Sequence, residues 1–282
     1  MSEAKNARTD CVSGILDVVF LPCTIGCGML SCAPASAATA AGSSTATLSG
    51  TSTDAKAQPV SPDAGYAHTV LADHPIAYWR FNETSGTSIQ DHTGKGHDGT
   101  LHGGVTLGQP GIVADGLAAS FDGETGYIEV TDSIWGGGRE VTIEAWVNVS
   151  QTSGDFEAIV SAVGLEFVHL QLHTGGNISV YTDTGYSLLP IVAQTPLDVW
   201  RHIALVASPS LVCLYVDGVE VGSSTTAFAT IHSTTTLRIG NGYGGERFFH
   251  GRIDEVAIYD YALSIERIQA HIAASKANTA SV

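Results

Sequence analysis

The acidic and imidazole side chains of this sequence gather in one stretch, YWRFNETSGTSIQDHTGKGHDGTL (78–101). Tyr78, Trp79 and Phe81 open it as a strand, and Glu83, Asp91, His92, His97 and Asp98 follow among Gly, Thr and Ser. Carboxylates in such a loop can hold a cation, act as acid and base, or simply order a polar rim. Retaining glycoside hydrolysis needs two carboxyl groups about 5–5.5 Å apart, which a strand supplies through acidic residues two or four apart on one face. Asp254 and Glu255 are adjacent, so alternation sends them to opposite faces. Glu144 has no acidic neighbour at that spacing, and the stretch 78–101 offers no nucleophile–base pair. The pattern predicts a protein that is not an enzyme.

Binding chemistry is better supplied. In FVHLQLH, Phe167, His169, Gln171 and His173 share one strand face, while Val168, Leu170 and Leu172 share the other. His169 and His173 stand about 13 Å apart, too far to chelate one metal together. That face is either a polar-aromatic platform for a sugar or a solvated sheet surface. Two Gly-rich loops, SIWGGGRE (133–140) and NGYGGERFF (241–249), add Trp135, Tyr243, Arg247 and Phe248. Aromatic rings flanked by Arg or Glu suit a glycan site; Trp135 and Phe248 packed inward would be the alternative.

These residues hang on short alternating runs. VTIEAWVNVS puts Val141, Ile143, Ala145, Val147 and Val149 on one face and Thr142, Glu144, Trp146 and Asn148 on the other. Asp217-Gly218 between two such runs predicts a tight hairpin. Repeated short strands with polar turns mean an all-β sandwich or barrel. One helix is predicted, LSIERIQAHIAAS, with Ser264 as N-cap, Glu266 in the first turn and an Ile265/Ile268/Ile272 stripe; it is expected to close one end of the sandwich.

The chain has 282 residues and a formal charge of −16, of which residues 71–282 carry −14. So acidic a surface repels phosphate backbones and opposes a nucleic-acid partner. Residues 1–37 combine Lys5 and Arg8 with an apolar run (18–30) too short to span a bilayer comfortably. They read as a signal, anchor or docking segment, with Ala35-Ser36-Ala37 as a cleavage site or Cys32 as a lipidated residue. Residues 38–65 are rich in Ala, Ser, Thr and Gly and predict a flexible linker. The folded domain is placed at 66–275 and a tail at 276–282. Four of the five cysteines precede residue 33, and Cys213, alone in an apolar strand, is expected as a buried thiol.

The order of motifs is itself informative: AYWRFNETSG, DHTGKGHDGTLHGG, GLAASFDGETGYIEV, VTIEAWV, WRHIALVA, CLYVDGVEVG, LRIGNG and FHGRIDEVAIYDYALSIERIQAHI. From Tyr66 to Ala274 this series resembles the laminin-G-like (LamG) jelly rolls of the concanavalin A-like lectin/glucanase superfamily. The resemblance implies a two-sheet antiparallel jelly-roll sandwich with one short C-terminal helix, behind a low-complexity N-terminal segment. It implies that Tyr78–Phe81 lies beside Arg252–Ile258, and that His202 of the Trp-x-His motif is a structural hydrogen-bonder. It also implies a structural calcium at the rim, for which Asp91, Asp98, Asp122 and Asp254 are the candidate ligands; turn capping by the same carboxylates would need no ion. The implied function is a non-catalytic binding or adhesion module for a glycan or glycoprotein, extracellular or on a cell surface. The alternative is a virion component, a phage decoration or tail protein, that docks through residues 1–37.

Overall fold

A nine-residue strand, β7 (Val141–Val149), is buried along its whole length. Its alternation explains the architecture. Val141, Ile143, Ala145, Val147 and Val149 face one apolar core, while Trp146 belongs to a second core on the opposite face. A strand buried on both faces requires a layer on each side. The computed structural model supplies both; it describes residues 62–132, 134, 138–153, 156–162, 169–173, 175–181, 195–225, 236–242 and 246–276.

Strand β7 lies in the larger of two antiparallel sheets, eight strands among the described residues. The order is β13 (Val219–Ser224), β12 (Val212–Val216), β11 (Trp200–Ala207), β7, β15 (His250–Tyr259), β5 (Leu117–Asp122) and β4 (Val105–Pro110). Strand β1 (Ala77–Trp79) also pairs with β15, Ala77 opposite Ile258 and Trp79 opposite Val256, as the family resemblance implies. The other sheet runs β10 (Asn177–Tyr181), β9 (His169–His173), β8 (Glu157–Ala162), β14 (Leu237–Ile239), β6 (Tyr127–Val130), β3 (Gly99–His102) and β2 (Ser88–Ile89). Between the sheets lie Trp79, Phe81, Phe121, Phe249 and the inward aliphatic residues of most strands. Asp217 and Gly218 take positive φ values of 50° and 74° in the β12–β13 hairpin, the left-handed pair that a two-residue turn needs.

The third layer departs from expectation. Helix α2 (Ile265–Lys276) forms where predicted, with Ser264 accepting from the Arg267 and Ile268 amides. It does not close an end of the sandwich. It lies on the outer face of the larger sheet, Ile268 and Ile272 packing with Trp146, Val206, Tyr215 and Tyr259. A second helix, α1 (Pro62–Leu71), packs beside it and buries Tyr66, Ala67 and Val70. It begins inside the segment read as linker; Pro at a first helical position is pre-set for helix, but α1 depends on tertiary burial. Each buried Tyr, Val or Ile contributes roughly 1.5–3 kcal/mol, more than a typical net hydrogen bond at about 1 kcal/mol. Apolar contact therefore attaches the helices. Cys213, in the same core, is disulfide-bonded rather than a free thiol, with its partner outside the described residues.

The helices also cover charge. Glu144 of β7 is buried and meets His271 Nδ1 at 2.9 Å, His202 Nε2 at 3.3 Å and the Tyr259 hydroxyl, which donates to it at 2.7 Å. His271 Nε2 lies 2.8 Å from Asp73, which also accepts from Arg267 Nε. With a carboxylate at each ring nitrogen, His271 donates from both only as imidazolium. Burial opposes that charge, but Glu144 and Asp73 outweigh it and hold the His271 pKa above its ordinary 6.5. Burial likewise opposes the Glu144 charge, and His271 and His202 outweigh it, holding the carboxyl far below its ordinary 4.5.

The stabilisation from His271 is complete below about pH 6.5 and is lost as pH rises through its raised pKa; that from Glu144 is complete above about pH 4.5 and is lost only in strong acid. Melting temperature is expected to fall between pH 6 and pH 8.5. His271→Gln should lower stability by roughly 3–5 kcal/mol at pH 6, since it strips a partner from a buried carboxylate, and should shrink the pH-dependent fall. A variant with the full wild-type fall would contradict this.

Candidate ligand-binding face

The smaller sheet has no helix over its outer face among the described residues, and register lines up its polar positions. Thr100 of β3, Glu129 of β6, Arg238 of β14, Ser161 of β8, His169 of β9 and Tyr181 of β10 stand opposite one another in turn. One residue along, Ile128, Ile239, Val160, Leu170 and Val180 form the core row. Period-two alternation in neighbouring strands thus builds a polar outer stripe over an apolar inner one.

Arg238 organises one half of the stripe. Its Nη2 lies 2.8 Å from Glu129 Oε2, and its Nη1 donates to Asn241 Oδ1 at 3.1 Å. Its guanidinium sits 4.7 Å over the Tyr127 ring. Tyr127 stacks on His102 at 4.7 Å with the rings 13° from parallel, and Phe248 stands 6.5 Å away. Asn241 follows Gly240, whose φ of 83° turns the chain; a Cβ there would lie 2.4 Å from Phe121. The other half centres on Arg247. Its guanidinium lies 4.7 Å over Phe156, and its Nη1 donates to Gln171 Oε1 at 3.3 Å. Gln171, Ser179, Ser161 and Asn241 are buried, and Asn241 Nδ2 and Ser179 Oγ have no hydrogen-bond partner among the described residues. The face therefore presents aromatic surface, two guanidiniums, a carboxylate and unsatisfied polar groups. That is equipment for hydrogen-bonding and stacking, with no nucleophile–base pair among the described residues.

The sequence-predicted binding residues divide. Gln171 and Arg247 are brought into contact, and Phe248 stands beside Tyr127. His169 and His173 fall on β9, opposite Ser161 and Asn177. Trp135 and Tyr243 lie outside the described residues. Sequence reasoning missed His102, Tyr127, Glu129, Arg238, Asn241 and Phe156. The alternation of Tyr127 and Glu129 with Ile128 and Val130 was a signal, as was Arg238 between Leu237 and Ile239. What a single chain does not display is that β6 and β14 are neighbours.

The acidic candidates do other work. Asp91 accepts from the Tyr78, Thr93 and His97 amides and from the Thr93 hydroxyl. Asp98 accepts from the Asp91 amide. Asp122 accepts from the Glu124, Thr125 and Gly126 amides and the Thr125 hydroxyl; these donors overcome the effect of burial and hold its carboxyl well below the usual range. Carboxylates so filled with N–H and O–H donors order turns and do not fit a shared calcium. No group of three or more His, Cys, Asp or Glu among the described residues is placed to hold a metal ion.

Asp254 and Glu255 correct an expectation. They do not point to opposite faces, because the β15–β7 register shifts between Asp254 and Ala257 and Glu255 takes a φ of 52°. Both side chains lie on the helix side. Glu255 accepts from the Tyr78 hydroxyl and from Arg80 Nη2, and Asp254 Oδ2 accepts from the Ile112 amide. Burial, and then the Glu255 charge, pushes the Asp254 carboxyl well above the usual range. Glu144, on the same side, is engaged by His271 and Tyr259. All three carboxylates are buried and closed to a polymeric substrate.

A sequence profile of a laminin G family within the concanavalin A-like lectin/glucanases superfamily matches residues 122–269. The chain belongs to the concanavalin A-like lectin/glucanase superfamily. Among curated proteins, none matches it. Solved structures give the fold of this superfamily member again. Domain 4 of AbnA, a GH43 extracellular arabinanase from Geobacillus stearothermophilus, solved with arabinotriose, is 21% identical with a TM-score of 0.59, covering 70% of this chain and 98% of that one. The botulinum neurotoxin serotype D ligand-binding domain, solved with N-acetylneuraminic acid, is 15% identical with a TM-score of 0.58, covering 74% of this chain and 52% of that one. The binding domain of paraclostridial mosquitocidal protein 1 is 19% identical with a TM-score of 0.56, covering 72% and 52%. The chain thus spans about half the length of the toxin domains.

Two outcomes follow from the filled carboxylates. EDTA is expected to leave the melting temperature unchanged, and Asp91→Ala, which strands the buried Tyr78 amide among others, to cost about 2–3 kcal/mol. A melting point lowered by EDTA and restored by calcium would contradict the first.

Proposed function

We propose that this chain is a non-catalytic carbohydrate-binding module that takes its glycan on the outer face of the smaller sheet. The observation that carries the reading is the contiguous set His102–Tyr127–Arg238–Glu129–Asn241, with Arg247, Gln171 and Phe248 beside it. Sugars offer hydroxyls that both donate and accept, and C–H faces that pack on rings. A guanidinium, a carboxylate and an amide on one rigid sheet face match the hydroxyls, and Phe248 offers a ring. Superfamily membership supports carbohydrate as the ligand class, as do relatives of the same fold solved with arabinotriose and N-acetylneuraminic acid. A binding rather than catalytic role is supported by the three buried carboxylates, which are committed to partners beneath the helices. Extracellular or surface display is part of the proposal, supported by the composition of residues 1–65.

The test is a glycan array with the intact chain, followed by titration of the best oligosaccharide against Arg238→Ala and Tyr127→Ala. At least a tenfold loss of affinity, about 1.4 kcal/mol, is expected for each, with melting temperature little changed. Undiminished binding by both variants would move the site elsewhere; an array with no bound glycan would overturn the reading.

A further inference from the structure

We infer that the ligand of this face carries a carboxylate, and that Arg247 is the residue that recognises it; the inference rests on the glycan reading above. Acids outnumber bases in residues 71–282 by 23 to 9, so a guanidinium without a carboxylate is unexpected. Arg80, Arg201, Arg238 and Arg267 each meet one, namely Glu255, Asp217, Glu129 and Asp73, while Arg252, on the larger sheet, is taken up by the Pro110 carbonyl and the Trp200 ring. Arg247 meets none among the described residues; its partners are the Gln171 amide oxygen and the Phe156 ring.

The guanidinium is also held in place. The Ala158 amide donates to the Arg247 carbonyl at 3.0 Å. The side-chain stem lies over Gly242, where a Cβ would stand 3.1 Å from Arg247 Cβ and 3.3 Å from Cδ. Phe156 supports the planar group from one side. A fixed planar fork loses little entropy on binding a planar carboxylate, and its paired N–H donors match two oxygens at once.

The surroundings have the same bias. Among the described residues, Asn241 Nδ2 is a buried donor without an acceptor, and Ser179 Oγ, opposite Gln171 in the β9–β10 register, is buried without a partner. The Glu129 carboxylate is already neutralised by Arg238, and Glu157 is engaged by the Ser153 amide. The Asn241 amide is thus an unused donor, and the Ser179 hydroxyl can donate as well as accept. The overall negative charge opposes an anion only weakly, since at physiological ionic strength exposed charges beyond about 8 Å are screened; Glu246, next in sequence to Arg247, is exposed.

The experiment titrates the intact protein with matched pairs: trigalacturonate against galactotriose, and sialyllactose against lactose, each at low and high salt. The two pairs distinguish a uronate from a sialic acid. One acidic member is expected to bind at least tenfold more tightly than its neutral partner, with the preference shrinking in high salt. Arg247→Gln should abolish the preference, lowering the affinity for the acidic sugar at least tenfold more than that for its neutral partner. Arg247→Lys, which keeps the charge without the fork, should retain only part of the preference, and it provides the comparison if the Gln variant does not fold. Equal affinity within both pairs, or a preference that survives Arg247→Gln, overturns the inference. If neutral glycans bind and acidic ones do not, the inference falls and the glycan reading stands; if no glycan binds, both fall.

Discussion

A carboxylate cannot remain charged in the middle of a protein without partners, and Glu144 sits in the middle of the most buried strand of this one. Strand β7 supplies one apolar core with its valines and isoleucine and, through Trp146, a second on its reverse face. Between these, Glu144 requires donors that water cannot supply. Tyr259 supplies one from a neighbouring strand and His271 another from helix α2, while His202, on the strand at the other side, comes within 3.3 Å without forming a hydrogen bond. Asp73, just beyond α1, completes the set by holding the far nitrogen of His271. The apolar contacts attach the helices, and the ionic network fixes where they sit. A consequence reaches across the molecule: the outer face of the larger sheet is occupied by the helices, which is why the proposed glycan site is on the smaller one.

The final strand shows how local irregularity completes this plan. On one side β15 pairs with β5 through Ile253 and with β1 from Val256 onward. At the changeover the register slips and Glu255 adopts a left-handed backbone. That geometry brings Asp254 and Glu255 to the same side, where Glu255 is held by Tyr78 and Arg80. Asp254, beside a charged carboxylate and away from water, retains its proton more readily than an exposed aspartate. Two adjacent acids that resemble catalytic equipment in the sequence are thus part of the joint between the first and last strands.

Much of the architecture was legible because it rests on local rules. Alternation in β7 and β9, the left-handed pair Asp217-Gly218, the cap and stripe of α2, and the β1–β15 pairing all follow from short patterns or from the order of motifs. Helix α1 was not legible, since Tyr66, Ala67 and Val70 gain their reason for helix only from a sheet face far along the chain. The bulge at Glu255 was not legible either: a two-residue period has no term for a strand that changes partners. Part of the candidate face was visible through Gln171, Arg247 and Phe248. Tyr127, Glu129 and Arg238 were not recognised, because their association depends on β6 and β14 being adjacent despite the long separation in sequence.

The proposed function divides labour between faces, the larger sheet covered by helices and the smaller one, which no helix covers among the described residues, assigned to the glycan. Backbone hydrogen–deuterium exchange of the intact chain, with and without a saturating oligosaccharide that it binds, tests this most directly. Slowed exchange is expected in β6, β14 and residues 246–249, with α1, α2 and the Asp254–Val256 segment unchanged. Protection confined to the helices and that segment, with β6 and β14 unaffected, would contradict it.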